Sequence, residues 1–251
     1  MWDFPDRIEF EGEFEHFREI KHAELRIQYN KVRTCTTQEV MSVRISPPDV
    51  SGDPFKWTWE MKKTGSIPPG TVVEFTWALE DVEGEVFWFE WHEIVWADPR
   101  FAWQSFEKDN ITLEWYSGGN GFGEELYERV ISDIGRLQID ATVTTPIKAL
   151  IYEDSTALQG AVLHAQAWTA GLAFTNQNII LIAIDPESTE TQASGLTHEI
   201  AHLLVAQESH GCIRLFRVVC PRGMRGHLMN SDLRVTEAAP DQASSRSFFG
   251  S

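Results

Sequence analysis

A chain of 251 residues has room for one large or two small domains, and 42% hydrophobic with 24% charged residues is the balance of a soluble globular protein. A formal charge of −17 opposes nucleic-acid binding, which needs basic surface to neutralise phosphates, and favours solubility or cationic partners. No stretch approaches the ~20 apolar residues needed to cross a bilayer, and Met1–Asp6 has neither the basic start nor the apolar core of a signal peptide, so nothing in the chain as given exports it.

Residues 1–96 read as β structure, because short runs alternating apolar and polar residues recur between turn signals. Arg7–Glu15, Ala23–Tyr29 and Val40–Ile45 alternate, and Phe55–Met61, Val72–Leu79 and Glu85–Trp91 do so less strictly. Ser46-Pro-Pro-Asp49, Ser51-Gly-Asp-Pro54, Thr64-Gly65, Ile67-Pro-Pro-Gly70 and Glu83-Gly84 separate them. Strands at this spacing predict an immunoglobulin-like β-sandwich, although no Cys…Trp…Cys core pattern is present. Nine of the ten Trp lie between Trp2 and Trp115, five of them in the runs from Trp57 to Trp91. Such a stripe is expected as core or interdomain contact, the other reading being a carbohydrate or peptide platform.

Ala97–Asn110 breaks the alternation and is the predicted domain boundary. An α+β domain is expected over residues 105–210. Ile111–Tyr116 reads as a strand, Gly118–Gly121 as a turn, and Leu126, Val130, Ile134 and Leu137 mark a helix face weakened at its end by Gly135. Ile147–Tyr152 reads as a strand, and Asp154 or Ser155 can cap a helix running to about Gln166. Asn178–Ile184 is apolar on both sides, as a central strand would be, and Asp185-Pro186 ends it. Ser188 or Thr189 can cap the next helix.

That helix carries His198-Glu199-Ile200-Ala201-His202, an HExxH stretch inside the apolar run Gly195–Val205. Histidines four residues apart project from one helix face, and each can give a neutral imidazole nitrogen to one Zn2+ ion at roughly 2.0–2.1 Å. Glu199, about 100° round the helix from His198, is badly placed as a ligand and well placed to hold a water on the metal, the division of labour of a zinc hydrolase. The bland alternative is a helix with two satisfied histidines and a surface Glu.

With Gly171-Leu-Ala-Phe174, Asn178–Ile184 and Thr197–Leu204 in place, residues 105–208 resemble the peptidase MA-like metallohydrolases, within the gluzincin branch. Some relatives also carry a β-rich domain ahead of the catalytic one, similar to residues 1–96. The resemblance implies a zincin-like fold, a peptide or protein substrate, zinc held by His198 and His202, and Glu199 as general base. It also implies that the segment around Ala173 and Phe174 is the sheet edge along which a peptide lies, and that the setting is extracytoplasmic or secreted.

The family supplies a third ligand as a downstream Glu in a Trp-x-x-Glu-Gly context, and this chain has no such motif, since every Trp precedes Thr169. Glu208 stands where a metzincin has its third histidine, but Val205 replaces the glycine that such a turn needs, and Glu208 reads as a surface residue. His210, His227, Asp232 and Glu237 have no context that favours them. Cys35, Cys212 and Cys220 are too scattered for a disulfide framework or a zinc knuckle. Residues 211–251 hold six Arg, no Lys and three acids, against fifteen bases and thirty-five acids before them. A reading-frame change or misassembled end would produce this switch and a truncated catalytic domain, and so would a natural disordered tail. The abrupt β-rich start also fits a fragment of a longer exported protein. Three readings compete: a zinc metallopeptidase; an incomplete protease domain serving as a binding or structural module through its Trp-rich sandwich; and a zinc hydrolase acting on another amide or ester.

Overall fold

The computed structural model describes residues 2–14, 19–29, 40–47, 54–64, 66–136, 143, 145–163 and 170–208. Its first part comprises β1 (Trp2–Asp3), β2 (Arg7–Gly12), β3 (Ile20–Gln28), β4 (Met41–Ile45), β5 (Phe55–Glu60), the single turn α1 (Met61–Thr64), β6 (Thr71–Asp81), β7 (Val86–Trp88) and β8 (His92–Trp96). Two antiparallel sheets result, one ordered β1-β2-β5 and the other β4-β3-β6-β7, with β8 also on β6. The alternation explains them. Ile8 and Phe10 from β2, Leu25 and Ile27 from β3, Trp59 from β5 and Trp77 and Leu79 from β6 point into one shared core, and the intervening charges face outward. Trp59 and Trp96 are among its largest buried side chains.

Two elements depart from the sequence reading. The run Glu85–Trp91 is not one strand: β7 pairs Ala78 with Trp88, and β8 resumes by pairing Phe75 with His92. Phe89 N donates to Trp77 O at 3.0 Å, so Glu90 and Trp91 together face Thr76, the two-against-one count of a bulge. The expected break at Ala97–Asn110 contains a strand, β9 (Gln104–Lys108), which turns through Asp109 and Asn110, both at positive φ, into β10 (Ile111–Trp115). Positive φ at both central residues is what a tight hairpin requires, and Asp and Asn tolerate it.

The second part continues with α2 (Phe122–Arg136), β11 (Ile147–Tyr152), α3 (Ser155–Gln159), β12 (Gly171–Phe174), β13 (Ile179–Ala183), a 3-10 turn (Pro186–Ser188) and α4 (Thr189–Glu208). Its sheet runs β12-β13-β11-β10-β9, parallel in the middle and antiparallel at both edges. The central strands are apolar on both sides because both faces are covered. Ala149, Ile151, Ile180 and Ile182 face α2 and α4, while Leu150, Tyr152, Ile179 and Leu181 face the α3 side. The whole is an α+β arrangement in which, among the described residues, no strand before residue 97 joins this third sheet.

Asp154 caps α3 as expected, its Oδ1 accepting from Ala157 N at 2.8 Å, but the helix stops at Gln159 rather than running to Gln166. Gly160 closes the turn with its N–H on Thr156 O, and a side chain there would run into the Arg100 guanidinium. Leu137 and residues 164–169 lie outside the described residues, as do Cys35 and the whole of 211–251.

The segment between the two parts is pinned by a buried carboxylate. Asp98, 2% exposed, accepts through Oδ1 from Arg100 N at 3.0 Å and Nε at 2.9 Å, and through Oδ2 from Tyr152 Oη at 3.0 Å. Trp103 Nε1 donates to the Asp98 carbonyl, and Arg100 Nη2 also donates to Ala157 O. Burial, the Asp98 charge and the hydrogen bond to Asp98 together push the Tyr152 phenol far above its usual range. Phe4 packs against both the core of the first part and the α3 cluster.

Candidate metal centre

Helix α4 is held at both ends and along one side. At its start Asp185 caps the 3-10 turn by accepting from Glu187 N at 2.9 Å, and Gln192 Oε1 accepts from Asp185 N at 2.8 Å. Along its length Ala193, Leu196, Ile200, Leu203 and Leu204 are buried against the sheet and α2. Near its end the Gln207 amide clamps the main chain of Thr145, donating to its carbonyl at 2.9 Å and accepting from its N–H at 3.1 Å. These contacts fix the rotation of the helix, and with it the direction of the remaining face.

On that face His198 is exposed, while Glu199 and His202 are half-buried. The two imidazoles stand nearly perpendicular, at 87°, with their Nε2 atoms 3.0 Å apart. Two ligands of a tetrahedral ion with bonds of ~2.05 Å sit ~3.3 Å apart, so the pair fits a zinc-sized cation with a few tenths of an ångström of adjustment. Burial holds the His202 imidazole below its usual range, helped by the His198 charge, and this favours the neutral form that can give a lone pair. Burial pushes the Glu199 carboxyl upward, with the His198 charge pulling the other way. The Glu199 carboxylate has no hydrogen bond among the described residues.

The Glu199 carboxylate has room because residue 171 is glycine. A Cβ on Gly171 would lie 3.1 Å from Glu199 Oε1 and 3.3 Å from Cδ, inside the ~3.5–4.0 Å of ordinary contact. An isolated glycine in a strand marks just such a close approach. That signal stands in the sequence, and only the tertiary neighbour gives it a meaning.

Strand β12 is the outer strand of its sheet, next to α4. Ala183 N donates to Ala170 O at 2.8 Å, and Gly171 is opposite Ile182. By the alternation of an antiparallel ladder, Leu172 and Phe174 turn their main-chain groups toward β13, whereas Gly171 and Ala173 turn theirs to the open edge. The two residues singled out in the sequence are therefore placed differently. Ala173 has its side chain on the α4 core and its N–H and C=O on the edge; the Phe174 ring packs on the α3 side and its main chain is directed at Ile179.

Among the described residues no three His, Cys, Asp or Glu side chains come together to hold a metal. The side chain of Glu208 and residues His210, His227, Asp232 and Glu237 lie outside the described residues.

The Peptidase MA superfamily model matches residues 132–224, which takes in most of this sheet and all of α4 and runs on past Glu208. At that level the segment is peptidase MA-like, which supports a hydrolase. No curated protein matches the chain. Among solved structures, a polysaccharide deacetylase from Bacillus cereus aligns at 8% identity over 65% of this chain, with a TM-score of 0.27. A chain from Bacillus anthracis, assigned provisionally to the same class, aligns at 8% identity over 65% of this chain, with a TM-score of 0.26. The match spans 58% of the length of each, and likenesses so slight carry no argument about fold or activity.

Proposed function

We propose that this protein is a zinc-dependent metallopeptidase in which His198 and His202 are zinc ligands and Glu199 is the general base. The observation that carries the reading is the convergence of the two Nε2 atoms at 3.0 Å beside a half-buried carboxylate, on a helix inside the peptidase MA-like segment. The finer architecture belongs to the same proposal: an immunoglobulin-like sandwich over residues 1–96 ahead of a zincin-like domain over 105–210.

Zinc held by the two imidazoles supplies Lewis acidity to a scissile carbonyl and lowers the pKa of a water from ~15.7 to about 7. The rest is the work of this chain's residues. Glu199, one position from His198, takes the proton of the attacking water on a carboxylate oxygen and passes it to the leaving nitrogen. Partial burial raises the proton affinity of that carboxylate, which suits a base that must also give the proton back. A peptide laid along the edge of β12 pairs with the N–H and C=O groups of Gly171 and Ala173, which brings its main chain past Glu199. Phe174 supports that strand from beneath. The ligand that completes the zinc shell comes from outside the described residues or from solvent.

Replacing Glu199 by Gln keeps shape and removes the base. Hydrolysis of an unfolded protein substrate by the zinc-loaded full chain should fall by ~10²–10⁴-fold in Glu199→Gln, with zinc affinity retained. Undiminished hydrolysis in that variant contradicts the assigned role.

A further inference from the structure

Strand β7 and the residue after it, Val86-Phe87-Trp88-Phe89, put large apolar side chains on both sides of the sheet edge, the pattern of a strand covered on both faces. Here one cover is present. Phe87, opposite the core residue Leu79, lies on the inner side of its sheet, and the ring of Phe89 meets that of Phe14, which packs against the sandwich core. Val86 and Trp88 lie opposite Glu80 and Ala78 on the other side, and Trp88 is 51% exposed. Trp91, within the bulge, is 48% exposed. Six of the nine exposed large hydrophobics among the described residues fall between Val82 and Val95, with Phe89 on the inner side against Phe14 and Val86 and Trp88 on the outer, a concentration along one sheet edge that marks a candidate binding surface.

The chemistry of a partner follows from what surrounds these rings. Glu83, Glu85, Glu90 and Glu93 are exposed in the same stretch, and no Lys or Arg occurs between Leu79 and Ala97. An anionic lipid surface or nucleic acid is repelled by such a setting. The protein already shows which group its indoles accept: the Arg26 guanidinium lies 4.0 Å over the Trp88 ring, so an incoming cation exchanges with Arg26 at Trp88 or takes Trp91. Addition of a β-strand is discouraged by the bulge and by the charges along this edge. Recognition would run through side chains.

We propose that this sheet edge, where exposed Trp88 and Trp91 stand among Glu83, Glu85, Glu90 and Glu93, docks an extended Arg- and Lys-rich polypeptide segment at a site separate from the histidine pair. Indole faces take the guanidinium or ammonium groups and the carboxylates neutralise them, so affinity falls as salt rises.

Fluorescence anisotropy of a labelled twelve-residue peptide alternating Arg and Gly, titrated with the full chain, tests this. An alternating Glu and Gly peptide and cellohexaose, used as a competitor, are the comparison probes. Trp88→Leu with Trp91→Leu keeps apolar bulk and removes the ring faces; Glu90→Gln with Glu93→Gln removes charge and does not endanger the fold. Each pair should weaken binding of the Arg peptide about tenfold, while Glu124→Gln with Glu125→Gln on α2 and His198→Ala leave it unchanged. Equal weakening by the α2 pair would mean that only the net charge of the chain is at work and would overturn the proposal. So would unchanged affinity in the Trp pair or in the Glu90 and Glu93 pair, or displacement of the peptide by cellohexaose.

Discussion

Two polar clusters in this molecule are built from similar groups and treated in opposite ways. Around Asp98 each carboxylate oxygen is taken up by Arg100 or Tyr152, and the cluster closes on itself with Asp98 and Tyr152 buried. On α4, among the described residues, the two imidazoles hydrogen-bond only to each other and the Glu199 carboxylate has no hydrogen bond. A buried charge that is fully paired is a fastener, whereas one left unpaired on a rigid helix is costly unless a ligand completes it. The difference separates a structural cluster from a candidate site without reference to any relative.

Variants at the two clusters should therefore fail in different assays. Asp98→Ala leaves the Arg100 guanidinium and the Tyr152 hydroxyl without their partner, and should destabilise the fold by about 3–5 kcal/mol in urea while leaving the zinc affinity of the surviving folded protein unchanged. Tyr152→Phe removes one donor from the same cluster and should cost about 1–3 kcal/mol. Gly171→Ala pushes a methyl group against Glu199 and should lower kcat about tenfold with zinc affinity intact; a rate equal to wild type would show that the carboxylate has room to move.

The phenols give a pH test of the same contrast. Burial and, for Tyr127, its hydrogen bond to Asp109 raise Tyr116, Tyr127 and Tyr152, with Tyr127 at about 12. A folded pKa above the unfolded value of ~10 means stability fully present below pH ~10 and lost as pH climbs through the folded values. Tyrosinate absorbance in the native protein should lag the ordinary phenol curve and catch up abruptly on unfolding. Titration of Tyr116 and Tyr152 along the ordinary curve would mean that the aromatic cluster around Tyr152 is open to water.

Much of this was legible in the sequence, for a physical reason: short-range periodicity reports which side of an element is covered. The alternation of Arg7–Gly12 and Ala23–Gln28 reappears as burial, and the two-sided apolar run Ile179–Ala183 is a central strand. The two histidines meet because four residues on a helix is a local distance. What escaped depends on neighbours remote in the chain. Strand β9 carries a single large apolar residue, Phe106, and shows no pattern of its own. Asp98, Arg100 and Tyr152 come together across fifty-four positions. Gly171 acquires its role only from Glu199 packed against it, and the Trp residues, expected mainly as core, divide into buried Trp59, Trp77 and Trp96 and exposed Trp88 and Trp91.

The central claim is that the helix face bearing His198 and His202 is a zinc site, and calorimetric titration of the full chain with Zn2+ addresses it most directly. Wild type should bind zinc measurably, and His198→Ala and His202→Ala should each weaken that binding at least tenfold while changing stability by no more than about 0.5 kcal/mol at exposed His198 and about 1 kcal/mol at half-buried His202. Zinc affinity unchanged in both histidine variants would contradict the account.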